Sequence, residues 1–155
     1  MPAKVDYGQI EETLREPARA VMAAIDEEET VGLLRQLIQA KSVNPPGDVR
    51  DGVRICRSKL DAAGFETRIA ALDETKPNLI AKLGGRRPML CFNAHLDTVP
   101  AGDLSAWTRD PFGGEFVDGR VYGRGAGDDK ASVTAQVMAG IAIARAAVPL
   151  NGALV

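Results

Sequence analysis

The feature that most constrains the fold is the segment MLCFNAH at residues 89–95, a nearly unbroken apolar run that ends in a histidine. Apolar residues without alternation predict a strand buried on both faces, as in a sheet that is covered by helices. Apolar residues make up 45% of the 155-residue chain, enough for a substantial core. The chain is therefore expected to fold as an α/β protein.

Periodicity places the other elements. Apolar residues at helical spacing predict helices within 26–43, over 49–63 and over 129–148, and a first helix over 8–24 is interrupted by Pro17. Gly64 is expected to end the second of these. Strands are predicted at 65–72 and 78–85, a further strand begins in GALV at 152–155, and Asp118-Gly119 is typical of a hairpin turn.

Charge and targeting signals exclude several classes of function. The net charge is −2, and no Lys/Arg-rich stripe indicates a nucleic acid or an anionic membrane as a partner. The sequence shows neither a secretory signal nor a continuous apolar segment of membrane-spanning length. Cys56 and Cys91 are not at a metal-ligand spacing and are interpreted as free thiols. These features predict a cytoplasmic protein.

The first candidate for chemistry is the pair His95 and Asp97. His95 is the only histidine of the chain, and in an extended segment the two side chains point to the same side. A metal-binding imidazole needs its second ring nitrogen held, and a carboxylate is a common partner for it. A hydrogen-bonded structural histidine at a strand end is the alternative, and this pair alone does not decide between them.

The second candidate is GRGAGDDK at residues 123–130, where Asp128 and Asp129 precede the long helix. Carboxylates here either cap the helix or bind a cation. A dinucleotide-binding turn is disfavoured, because the spacing is G-x-G-x-G and no acid follows Asp129. A phosphate-binding P-loop is also disfavoured, since Lys130 follows two aspartates rather than a glycine.

Four segments together are more specific than any one of them: SVNPPGD, HLDTVP, WTRDPF and DGRVYGRGAGDDK. In sequence and spacing they resemble the dimetal amidohydrolases that include acetylornithine deacetylase, succinyl-diaminopimelate desuccinylase, aminoacylase and the glutamate carboxypeptidases. The resemblance runs from about residue 28 to the end. It implies a three-layer α/β/α, zinc-exopeptidase-like catalytic domain with a mostly parallel sheet.

The resemblance also implies roles for individual residues. His95 matches a ligand of one metal, Asp97 the catalytic aspartate that holds the ring of that histidine, and Asp128 the aspartate that bridges two metals. Asp129 falls on a variable position and receives no role. The implied cofactors are two divalent ions, zinc or cobalt, which polarise the scissile carbonyl and activate a water. The implied substrates are N-acyl amino acids or short peptides.

Several parts of such a site are missing from the sequence. There is no second histidine and no acid after Asp129, and two ligands cannot complete a dimetal site. We therefore expect 1–27 to be a helical extension and 28–155 to be the N-terminal part of a catalytic domain. The sheet is expected to be incomplete on its C-terminal side, and the chain to be inactive alone. The resemblance allows a homodimeric parent. The alternative is a catalytically dead remnant that serves as an interaction module.

Overall fold

The computed structural model describes residue 8 and residues 10–85 and 87–155. Within these described residues, four α-helices and six β-strands follow one another. The helices are α1 (Glu12–Ala23), α2 (Glu27–Gln39), α3 (Arg50–Ala62) and α4 (Ala131–Arg145). The strands are β1 (Glu66–Ala70), β2 (Asn78–Gly84), β3 (Met89–Leu90), β4 (Glu115–Val117), β5 (Arg120–Tyr122) and β6 (Ala153–Leu154). The predicted α/β class is confirmed.

The main sheet has the strand order β1-β2-β6-β3. Its described strands form two antiparallel pairs, β1 with β2 and β2 with β6, and one parallel pair, β3 with β6. The expectation of a mostly parallel sheet is therefore wrong for this part of the chain. The reason is the short connection between β1 and β2, which permits only a hairpin, whereas the parallel pair is joined by a crossover that contains α4.

Local sequence explains where the helices begin and end. Asp26 caps α2, because its carboxylate accepts the N–H of Glu29 at 2.9 Å. At the end of α3 the N–H of Gly64 bonds to the carbonyl of Asp61, and that of Phe65 bonds to the carbonyl of Leu60. Gly64 has φ +84°, so this is a Schellman motif with the predicted glycine in the left-handed position.

The core lies between the main sheet and the helices α2, α3 and α4. Phe65 and Leu154 approach α4 at Gly140, where a Cβ atom would lie 3.0 Å from the Phe65 ring. Glycine at this point allows the helix to approach the sheet closely. The core residues are less than a tenth exposed: Leu33, Leu37, Cys56, Leu60, Phe65, Val133, Met138, Ile141 and Leu154.

The apolar run at residues 89–93 is less buried than the sequence predicts. Met89, Leu90 and Phe92 are 51%, 60% and 42% exposed. The pairing itself forms, since Phe92 donates its N–H to the carbonyl of Val155 and Val155 donates to Leu90. The prediction of burial on both faces is wrong here because β3 is the last strand in the sheet order and no described element covers these side chains.

The β4–β5 hairpin forms as the sequence predicts, whereas the first helix differs from its prediction at Pro17. In the β4–β5 hairpin Asp118 and Gly119 have φ of 50° and 75°, as a two-residue type I′ turn requires. Helix α1 continues through Pro17, so the predicted interruption of the first helix is wrong. It can do so because none of its residues is fully buried, so the carbonyl that proline leaves unbonded reaches water. Among the described helices, none has both the length and the apolar character that crossing a membrane requires.

Ion pairs of Glu29 tie α2 to two other helices, and they predict a pH-dependent stability. Its carboxylate lies 2.9 Å from Lys59 Nζ in α3 and 2.7 Å from Arg145 Nη1 in α4. The hydrogen bonds from Arg145 and Lys59 lower the pKa of Glu29 from 4.5 to about 2. We expect Glu29→Gln to reduce the free energy of unfolding by about 1 kcal/mol at pH 7, because the pairs are partly exposed.

A group with a lowered folded-state pKa stabilises the fold above its unfolded pKa. The difference between wild type and Glu29→Gln should therefore shrink as the pH falls from about 4.5 to about 2. Urea unfolding across this range measures it. Asp51→Asn, which breaks an exposed pair with Arg54, is the control and should change stability little. A difference that stays constant down to pH 2 would contradict the assignment.

Candidate metal centre

The two clusters that the sequence singled out meet in space. His95 Nε2 lies 3.1 Å from Asp128 Oδ1, although 33 positions separate the residues in the chain. His95 follows β3 on an extended segment, and Asp128 lies in the turn Ala126–Lys130 that leads into α4. The side chains of His95 and Asp128 are 53% and 92% exposed, so both face an open surface. The fold therefore brings an imidazole nitrogen and a carboxylate oxygen together at an accessible site.

Asp97 faces the other ring nitrogen of His95. Nδ1 is 3.2 Å from Asp97 Oδ1 and 3.1 Å from the carbonyl oxygen of the same residue. An N–H on Nδ1 can donate to either acceptor. Nε2 is then an acceptor that faces a second acceptor, Asp128 Oδ1, so this tautomer fits a cation between the two atoms. The geometry fits both interpretations that the sequence left open for the pair: a ligand histidine with a cation beside Nε2, and a hydrogen-bonded histidine whose two ring N–H groups donate to the carboxylates.

Opposing effects set the protonation of His95. Partial desolvation would lower its pKa, but the hydrogen bonds to Asp97 and Asp128 and the nearby charges of Asp97 and Asp129 outweigh it, and the pKa is raised. The surrounding carboxylates therefore favour a positive charge at this position. A metal cation bound at Nε2 would meet the same favourable field.

Asp129 connects the two segments of the site. Its Oδ2 accepts the backbone N–H of His95 at 3.3 Å. Hydrogen bonds from the Ser132 side chain and from that N–H hold the pKa of Asp129 below its usual range, against a smaller opposing effect of burial. The carboxylate of Asp129 thus fixes the end of the β3 segment to the start of α4.

Two glycines allow the turn to approach its neighbours. Gly125 has φ +81°, and a Cβ there would lie 2.4 Å from Thr98 Cγ2. A Cβ at Gly123 would lie 2.5 Å from Ile38 Cγ2. The glycines of GRGAGDDK therefore serve close packing of the turn against the segment after His95 and against α2.

The buried ammonium of Lys130 connects the turn Ala126–Lys130 to the end of α2. Lys130 is only 2% exposed, and its Nζ donates to the carbonyls of Leu37 at 2.7 Å and Ala40 at 3.0 Å, at the end of α2. Burial lowers the pKa of Lys130 to about 8. Carbonyls at a helix C-terminus favour a cation, so the ammonium has suitable partners in the interior.

The chain is similar in sequence to a known peptidase family and to named relatives. Residues 91–155 match the model of peptidase family M20/M25/M40. Over 113 residues the chain is 45% identical to a succinyl-diaminopimelate desuccinylase of Rhodospirillum centenum, a match that covers 70% of this chain and 29% of the relative. A similar enzyme of Caulobacter sp. is 41% identical over 111 residues, covering 72% of this chain and 28% of the relative.

A solved structure extends the likeness to the fold. The crystal structure of human carnosine dipeptidase 1 matches with a TM-score of 0.71 and 27% identity, over 88% of this chain and 33% of that one. Residues 91–155 carry part of an M20-family peptidase domain. The chain spans about a third of the length of the relatives that it matches.

The donors present in this chain fit a part of a metal site. Two ligands at about 2.0–2.2 Å from a tetrahedral ion are roughly 3.3–3.6 Å apart, close to the observed separation of His95 Nε2 and Asp128 Oδ1. Among the described residues, however, no three His, Cys, Asp or Glu side chains converge as a ligand set. The described residues therefore supply two donors with suitable chemistry and spacing, and no third.

Some residues of the site had no predicted role. Lys130 belongs to the GRGAGDDK motif, but the sequence predicts no role for it. Its role at the end of α2 is visible only in the structure, because its partners Ala40 and Leu37 lie 90 and 93 positions away. Asn44 lies within SVNPPGD, and its side chain reaches Asp97. Asp129 was assigned no role, and its contact with the His95 backbone depends on the tertiary fold.

Removing the ammonium of Lys130 should destabilise the fold. Lys130→Met keeps the aliphatic chain but leaves the carbonyls of Leu37 and Ala40 without their buried donor, which should cost about 2–4 kcal/mol of unfolding free energy. Chemical denaturation measures the loss. Lys76→Met, at an exposed lysine, should change the stability by less than about 0.5 kcal/mol. Equal effects of the two substitutions would contradict the role given to Lys130.

Proposed function

We propose that the protein to which this M20-family domain belongs is a metal-dependent hydrolase of amide bonds in N-acyl amino acids or small peptides. The observation that carries the proposal is the 3.1 Å approach of His95 Nε2 to Asp128 Oδ1, with Asp97 on the opposite ring nitrogen. A ring held on one side and directed at a carboxylate on the other is the arrangement expected of a metal-ligating histidine.

Each residue has a distinct role in this proposal. His95 Nε2 and a carboxylate oxygen of Asp128 would hold metal, with zinc preferred and cobalt as an alternative. Asp97 keeps the proton of the ring on Nδ1 and fixes the plane of the imidazole. When bound, two such ions supply a polarised substrate carbonyl and an activated water. The exposed carboxylate of Asp128 is free to bridge both ions, since its contact with His95 uses only Oδ1.

The names of the relatives support the substrate class. The R. centenum and Caulobacter relatives are named desuccinylases of succinyl-diaminopimelate, and the human structural relative is named a dipeptidase. Each name describes hydrolysis of an amide bond in a small molecule. We propose the same class for this protein, and we place the succinylated substrate first because the desuccinylases have the higher identity.

The division of the chain follows from the same argument. We propose that residues 28–155 contribute the His95 and Asp128 side of a dimetal site. We propose further that the described residues before position 28 belong to a helical extension; residues 1–7 and 9 of the predicted extension 1–27 lie outside the part of the chain that the structure describes. With two donors among its described residues, this chain alone is expected to show no turnover. A homodimeric assembly and a cytoplasmic location stay predictions of the sequence.

A chimera tests the function directly. The matched 113 residues of the R. centenum desuccinylase are replaced by those of this chain, and hydrolysis of succinyl-diaminopimelate is measured. The chimera should be active. His95→Ala and Asp128→Ala should each reduce kcat/KM by at least about 10³-fold, since the metal contributes several kcal/mol to transition-state stabilisation. Asp97→Asn should cost about 10- to 100-fold.

Asp73→Asn is the matched control, because the side chain of Asp73 accepts hydrogen bonds from Thr75 and lies outside the site. Its activity should equal that of the unmodified chimera. Zinc content, measured by atomic absorption, should fall in the His95 and Asp128 variants. An active chimera that keeps its activity and zinc after His95→Ala would refute the proposed function and leave the interaction module as the better hypothesis.

A further inference from the structure

The segment SVNPPGD lies beside the HLDTVP segment in the fold. Val43 and Thr98 form an isolated parallel bridge. The N–H of Asn44 donates to the carbonyl of Thr98 at 2.8 Å, and the N–H of Thr98 donates to the carbonyl of Ser42 at 3.0 Å. This pairing fixes the register of the two segments.

A side-chain bond strengthens the same pairing. Ser42 is 5% exposed, and its hydroxyl donates to the carbonyl of Leu96 at 2.6 Å. Leu96 lies between His95 and Asp97. Ser42 therefore bonds to the backbone on both sides of Asp97, at Leu96 and at Thr98. Asn44 is thereby brought level with Asp97.

The side chain of Asn44 continues the contact to the carboxylate. Its Nδ2 donates to Asp97 Oδ2 at 3.0 Å, while the other oxygen, Oδ1, faces His95 Nδ1 at 3.2 Å. Each oxygen of the carboxylate thus has its own partner. Because a carboxylate only accepts, the amide nitrogen of Asn44 must be the atom that faces it.

We propose that Asn44 is a positioning residue of the metal site, which holds the carboxylate of Asp97 so that the ring of His95 presents Nε2 to Asp128. A carboxylate rotates readily about its terminal bond. A donor on Oδ2 fixes that rotation and keeps Oδ1 in place for the ring. This inference rests on the proposed function for its meaning, but the orientation of the ring can be measured without metal.

The turn that follows Asn44 keeps its side chain in place. Gly47 has φ +78°, and its N–H donates to the carbonyl of Val43 at 2.9 Å. A Cβ at Gly47 would lie 3.1 Å from Asn44 Cγ. The backbone of the turn therefore packs directly against the amide, and glycine is the residue that leaves room for it.

Two variants of Asn44 test the proposal in the full chain. Asn44→Ala removes the amide, and Asn44→Leu replaces it by an apolar group of similar size. His95 is the only histidine, so long-range ¹H–¹⁵N spectra report the two ring nitrogens without ambiguity. Wild type should show mainly the Nδ1–H tautomer at a pH at which the ring is neutral. Both variants should shift towards Nε2–H, in the direction of an Asp97→Ala reference.

Zinc affinity gives a second measurement, by competition with a chromophoric chelator. Asp97→Ala should weaken binding about 10- to 100-fold, and the Asn44 variants about 3- to 10-fold, since they act through Asp97. Gln39→Ala is the matched control. It removes an exposed side-chain amide that donates to the carbonyl of Gly113 and not to the carboxylate of Asp97, so the ring spectrum and the affinity should stay within about twofold of wild type.

Three results would overturn the proposal: ring ¹⁵N shifts unchanged in both Asn44 variants, an equal change in Gln39→Ala, or loss of the folded amide spectrum in both Asn44 variants. The last would make Asn44 a structural residue. The tautomer measurement decides the role of Asn44 even if the two donors of this chain bind no zinc, whereas the proposed function is decided separately by the activity of the chimera.

Discussion

The buried ammonium of Lys130 is the interaction on which the arrangement of the site depends. It connects the end of α2 to the turn before α4 through the carbonyls of Leu37 and Ala40. The turn carries Asp128 and Asp129, and these two side chains reach His95 at the end of the β3 segment. The contact in the interior therefore determines the position of the carboxylates at the surface. Gly123 and Gly125 permit this contact, because a side chain at either position would collide with the residues against which the turn packs.

The charges around His95 explain why this surface is suited to a cation. The carboxylates of Asp97 and Asp128 face the two ring nitrogens of His95, and the carboxylate of Asp129 accepts the backbone N–H of the same residue. Partial desolvation would lower the pKa of the ring, but the hydrogen bonds to Asp97 and Asp128 and the charges of Asp97 and Asp129 raise it. Such a concentration of carboxylates is unfavourable unless a positive charge is close, and either a proton or a metal ion can provide it. The described residues supply two donors for an ion, and the chain spans about a third of the length of its relatives. Both facts agree with the proposal that further ligands lie outside these residues.

Much of the fold could be predicted from local patterns. The regular spacing of apolar residues predicted the helices, Gly64 predicted the end of α3, and Asp118-Gly119 predicted the hairpin, because each depends on contacts between near neighbours in sequence. The pairing of the main sheet and the exposure of Met89 and Leu90 could not be predicted in this way. Both depend on which elements lie beside a strand, and an apolar run carries no information about that.

The candidate site divides in the same manner. His95 and Asp97 could be recognised as a pair because they are two positions apart, but nothing in the residues alone placed Asp128 beside them. The resemblance to a known family supplied that expectation, and the fold brings the three together. The contacts of Asn44 and Lys130 span 53 to 93 positions and became visible only in the structure.

The central claim, that His95 and Asp128 ligate a common metal ion, can be tested by anomalous diffraction at the zinc edge from zinc-soaked crystals of this chain. The account predicts a peak at about 2.0–2.2 Å from both His95 Nε2 and an Asp128 carboxylate oxygen, with Asp97 still on Nδ1. A zinc ion bound through Nδ1 of His95, or one distant from both residues, would contradict it.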